Sequence, residues 1–184
     1  MLQSKSAIAA WLDKYNIENY TIKDDLTVDV AGNVNIGYNK LATIPIQFGK
    51  VTGHFWCYHN KLTSLVGCPR EVTGDFNCYN NKLTSLEGCP RVIRGAFCCS
   101  NNKLTSLKGC PREVTGWFDC SSNQLTSLVG CPKEVNGWFS CSNNQLTSLE
   151  GCPNVIRGWF YCDKYLKEDI EYLRWVLSYK LMAL

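Results

Sequence analysis

The sequence predicts an α/β solenoid: one coil repeated along an axis, with a parallel β-sheet of about seven strands on its concave face and a capping helix at each end. Three observations predict it. The cysteines recur with a fixed period, each repeat contains an alternating strand pattern, and both termini carry helical periodicity instead.

Composition sets the bounds. The chain has 184 residues, 45% hydrophobic and 19% charged, with net charge +3. Its apolar and aromatic content is too high for a disordered chain. No run approaches about 18 apolar residues, so no membrane span is expected. Met1-Leu-Gln-Ser-Lys-Ser lacks a basic stretch leading into an apolar segment, so no secretory signal is expected either. The expected location is the cytoplasm.

The elements follow in order. Residues 1–20 are read as an N-terminal capping helix, because Ile8, Trp11, Leu12 and Tyr15 fall at i, i+3, i+4 and i+7 within Ser4–Tyr15. Residues 21–56 are read as degenerate first repeats: Ile36–Trp56 keeps Asn39, Leu41, Val51, Gly53 and Phe55 in phase. Residues 57–161 are five units of 21 residues, set by cysteines at 57, 68, 78, 89, 99, 110, 120, 131, 141, 152 and 162, with Cys98 alone out of step. Such units cannot bury a core singly and must stack.

Within a unit, Val114, Gly116, Phe118 and Cys120 alternate with Thr115, Trp117 and Asp119, which is the period of one strand. Asn123, Leu125, Leu128 and the turn Gly130-Cys-Pro132 complete the coil. Residues 162–184 are read as a C-terminal capping helix with a core stripe of Leu166, Ile170, Leu173, Leu177 and Leu181. A second stripe, Tyr172, Trp175, Tyr179 and Met182, suggests a homodimer contact through that helix.

The segment Phe118-x-Cys120-x-x-Asn123-x-Leu125, continued by Leu125-Thr-Ser-Leu128, resembles the leucine-rich repeat family, closest to its short bacterial effector and bacteriophage type. The resemblance covers roughly residues 30–162. It implies that Asn39, Asn60, Asn81, Asn102, Asn123 and Asn144 turn inward and hydrogen-bond the backbone of adjacent turns. It also implies a binding module, one that in phages or effectors would inhibit or sequester a host or defence protein in the host cytoplasm. Two departures stand out. The family's first Leu falls on Thr or Arg in most units here (Asn136 in one), and a Gly precedes each repeat Phe by two residues. A longer strand, or a coil closer to a parallel β-helix, is the alternative.

The cysteine columns occupy core positions, so reduced, buried thiols are expected. Spacings of 10 and 11 supply no zinc cluster. Cys98 points outward by parity and is the expected reactive thiol. Function should lie on outward strand positions. One outward column runs His54, Asp75, Ala96, Trp117, Trp138, Trp159; a second runs Trp56, Asn77, Cys98, Asp119, Ser140, Tyr161; a third begins Tyr58, Tyr79. Three tryptophans in register predict a stacked ladder joined by Tyr161, with Asp75, Asp119, Arg94 and Arg157 orienting a partner.

No catalytic residues, cofactor or metal are expected. His54 and Asp75 are expected to meet only as a surface contact, and Cys98 is too far from His54 to form a nucleophile–base pair. Lysines 40, 61, 82 and 103 form a column, but the low net charge and the interspersed glutamates argue against nucleic acid. The expected partner is another protein. Capture of a small planar ligand, a nucleotide or sugar, by the tryptophans is the alternative, with single-stranded nucleic acid behind it.

Overall fold

The computed structural model describes residues 1–166 and the strand Lys180–Leu181. Its coil is a β-solenoid. Each turn carries two short strands rather than the single one expected, and these assemble into two eight-stranded sheets. The first sheet includes Glu71–Val72, Val92–Ile93, Glu113–Val114 and Glu134–Val135. The second includes Phe55–Trp56, Phe76–Asn77, Phe97–Cys98, Phe118–Asp119 and Phe139–Ser140.

Rungs pair in parallel and in register, Val114 with Val135 and Phe118 with Phe139, so equivalent side chains stack in columns. The stretch read as one strand from Val114 to Cys120 is broken by a corner at Thr115-Gly116-Trp117. Close approach of the turns explains the glycine there. A Cβ on Gly116 would lie 2.6 Å from the Ala96 amide nitrogen of the preceding turn.

Packing between turns holds the coil. All seven phenylalanines are buried, and from Phe55 to Phe160 successive ring centroids lie 5.1–5.9 Å apart. The ladder asparagines satisfy the backbone where no sheet exists. Asn60 Nδ2 donates to Ile36 O at 2.8 Å and Cys57 O at 3.0 Å, while its Oδ1 accepts from Leu41 N at 2.9 Å. Asn81, Asn102, Asn123 and Asn144 repeat this pattern. Asn39 does not: it is exposed, and its amide reaches only Gly37 O.

At the N-terminal end, the helix Lys5–Lys14 buries Ile8 and Leu12 in the common core, and Ser4 Oγ accepts from Ala7 N at its start. Tyr20–Ile22 pairs antiparallel with Thr27–Val30 and so covers the open edge of the first sheet. The expected C-terminal helix is corrected where the chain is described. Lys164–Leu166 is a 3-10 turn, and Lys180–Leu181 is a strand parallel to Trp159 and Phe160. Tyr172, Trp175, Tyr179 and Met182 lie outside the described residues. No helix among the described residues is long and apolar enough to cross a membrane.

Candidate functional site

The outward face of the second sheet carries the residues singled out from sequence, and it divides them into two groups. Toward the C-terminal end, Trp117 and Trp138 stack face to face, with centroids 4.5 Å apart and planes 5° from parallel. The Tyr161 ring meets Trp138 edge-on at 6.2 Å. Trp159 does not extend the stack. It is 44% exposed and makes no ring contact with Trp138 among the described residues. Trp117 and Trp138 sit in the corner before their strands, whereas Trp159 is itself a strand residue paired with Lys180. The expected ladder of three is therefore a pair with an edge-on tyrosine. Asp119 lies one strand position beyond Phe118, and its Oδ1 accepts from Ser121 N at 2.9 Å.

Toward the N-terminal end, Trp56 stacks on His54 at 5.0 Å, and Tyr38 stacks on His59 at 4.4 Å. Tyr58 and Tyr79 stand edge-on to the same His59 ring. This second cluster is about 14 Å from Trp117, three rungs along the sheet. The rung between the halves has Ala96, Cys98 and Ser100 at its outward positions, all small and all buried.

Corner hydrogen bonds that the sequence reading missed tie the N-terminal turns together. Asn33 Oδ1 accepts from His54 N, His54 Nδ1 from Asp75 N, and Asp75 Oδ1 from Ala96 N, at 2.8, 2.9 and 2.8 Å. His54 Nδ1 also lies 3.3 Å from Asp75 Oδ2, so the ring is held against the same residue by backbone and side chain. Ala96 has no acceptor to continue the series, and the tryptophans begin on the next turn. Three acceptor-bearing residues at 21-residue spacing are the signal that could have revealed it.

Arg94 and Arg157 turn toward the first sheet instead of the tryptophans. Arg94 Nε lies 3.9 Å from Glu71, and Arg157 lies 4.0 Å from Glu134 and donates to Asn136 Oδ1 at 2.9 Å.

Cys98 is corrected. Its parity is outward, yet it is 6% exposed, with its sulfur 3.1 Å from Ser100 Oγ and Asp119 Oδ2 at 4.0 Å. Burial, with a further contribution from the Asp119 charge, pushes its thiol up to about 11, the opposite of an activated nucleophile. All twelve cysteines are free thiols. The two regular columns meet inside the coil, where Cys68 lies against Cys57 and burial raises Cys68, Cys78, Cys99 and Cys120. Cys89, Cys110, Cys131 and Cys152 are partly exposed as residues, and burial raises their thiols too. Among the described residues no group of three or more His, Cys, Asp or Glu is placed to hold a metal ion.

Two shallow grooves, of about 780 and 640 Å³, lie elsewhere, along the Gly-Cys-Pro corner. Arg70 and Arg91 line one; Arg112 and Lys133 line the other. No tryptophan lines either groove. No protein-family model, no curated protein and no solved structure matches the chain, so its function is read from this geometry.

Proposed function

We propose that the chain is a non-enzymatic binding module that holds another protein on the outward face of its second sheet. One observation carries this: Trp117 and Trp138 form a flat, half-buried indole pair, extended by Tyr161 and beside the exposed Trp159. Large aromatics fixed by their neighbours lose little freedom on binding, and Trp and Tyr dominate binding hot spots. Half-burial of one such ring contributes about 2–3 kcal/mol, at about 25 cal/mol per Å² over about 150–250 Å². Asp119 supplies a fixed negative charge at the edge of the pair. The proposed setting is a reducing cytoplasm, which suits free thiols lining the core. Kinship with leucine-rich repeats belongs to the same proposal, supported by the inward asparagines, and so does a capping role for Lys5–Lys14. Sequestration of a host or defence protein is the role proposed by that kinship.

A small planar ligand is less well supported. The two indoles already lie in contact, leaving no gap for a ring between them, and neither groove along the Gly-Cys-Pro corner touches them.

The test is site-specific photo-crosslinking in cell extract with benzoylphenylalanine at position 159. Expected is one discrete protein adduct, weakened tenfold or more by Trp138→Ala, and none from a probe at Thr105. An adduct that persists undiminished in Trp138→Ala, while that variant melts well below the parent, would make the indole pair structural and overturn the proposal.

A further inference from the structure

Each turn has a third side, running from the ladder asparagine through Leu-Thr-Ser-Leu to the Gly-Cys-Pro corner. Two cation columns border it. Lys61, Lys82 and Lys103 stand at one margin and Arg70, Arg91, Arg112 and Lys133 at the other, with Lys108 between. All eight are exposed, and among the described residues none forms an ion pair. Between these margins, from residue 61 to residue 154, the carboxylates are Glu87 and Glu150. Glu71, Glu113 and Glu134 lie on the first sheet and share the corner grooves with the arginine column, where Glu71 is engaged by Lys50 and Arg94 and Glu134 by Arg157.

Backbone bonds hold both columns in step. Lys82 N donates to Leu62 O and Lys103 N to Leu83 O, each at 2.8 Å, while Arg112 N donates to Arg91 O at 3.0 Å. Between the columns lie exposed hydroxyls, Thr63, Thr84, Thr105 and Thr126.

We infer that this side is a second binding surface, which docks duplex nucleic acid by its phosphate backbone. Arginine, lysine and hydroxyl side chains are the groups that contact phosphate oxygens. Cations repeated at about 4.8 Å along two margins suit a linear array of charges better than a single anion. The side has no aromatic residue from 60 to 70, nor at the corresponding positions of the next three turns. Single-strand binders stack unpaired bases on aromatics, so a platform for them is missing, whereas duplex bases stack on one another. The tryptophan face is separate from this side.

The experiment is fluorescence anisotropy with a labelled DNA duplex of about twenty base pairs, titrated across a salt series. Expected is sequence-independent binding with a log–log salt slope of about −4, corresponding to four or five phosphate contacts. Arg91→Gln with Arg112→Gln should weaken binding tenfold or more at low salt and flatten the slope by about 2, at about 1 per lost contact. Trp138→Ala should bind DNA as the parent does, which separates this surface from the proposed protein site. If the double variant does not fold by circular dichroism, Lys61→Gln with Lys82→Gln and Lys103→Gln is read in its place. Absence of duplex binding at low salt, binding untouched by these substitutions, tighter binding of the single strand, or equal competition by polyglutamate would each overturn the inference.

Discussion

A single buried amide shows how residues hold this coil together. Asn102 Nδ2 donates to Cys78 O of the preceding turn and to Cys99 O and Ser100 O of its own, while Oδ1 accepts from Leu83 N at 3.0 Å. Asn102→Ala leaves the buried Leu83 N without its acceptor, while Cys78 O keeps Asn81 Nδ2 and Cys99 O keeps Asn123 Nδ2. A stranded buried donor costs about 1–3 kcal/mol, so a loss of about 2 kcal/mol is expected from urea unfolding. Asn39→Ala is the control, because its exposed amide bridges nothing, and its midpoint should stay at the parental value. The inward role of Asn102 was legible from its place in the repeat. Burial of Cys98 was not: parity says which side a residue faces, and cannot say that Ser100 and Asp119 close over it.

At the scale of elements, the two-strand turn was hidden by its own regularity. Val114, Gly116, Phe118 and Cys120 keep the same parity whether the chain runs straight or bends at Gly116, so alternation cannot reveal a corner. The departure that flagged it was the glycine two residues before each Phe. Gly137→Ala tests what that glycine does. Its Cβ would lie 2.7 Å from Trp117 N and 2.9 Å from Trp117 Cα, both backbone atoms that cannot swing aside. The turns must separate there, and the Gly137 N to Gly116 O bond and the Trp117–Trp138 stack separate with them. Overpacking of this kind costs about 1–3 kcal/mol. The variant should melt lower and lose near-ultraviolet dichroism from the stacked indoles. Thr115→Ala, exposed at the same corner, should change neither. An unperturbed indole signal in Gly137→Ala would mean that the corner yields without parting the turns.

Over the whole molecule, the cysteine period was the most legible feature, but the meeting of its two columns depends on the cross-section of the coil, which spacing along the chain does not contain. That meeting has a consequence for pH. Ten thiols are raised by burial, Cys98 to about 11 and Cys152 to about 12. In the unfolded chain each titrates near about 8.5. Below that pH both states keep their protons, and the thiols leave stability unchanged. Above it the unfolded chain releases protons that the folded chain retains, so stability falls as pH rises toward the folded values. Each thiol contributes roughly 1 kcal/mol per pH unit to that fall. Ten together give on the order of ten, comparable to the roughly 5–15 kcal/mol that holds an ordinary domain folded. The coil should therefore unfold between about pH 9 and 10, with reductant present to exclude disulfide formation. Replacing Cys99, Cys120 and Cys141 by Ala or Val should move that alkaline midpoint upward even where it lowers stability at pH 7, a split that a simple loss of packing does not produce. A melting temperature that stays flat from pH 7 to pH 10 would mean that the thiols can ionise without the coil opening, and that water reaches the sulfur columns.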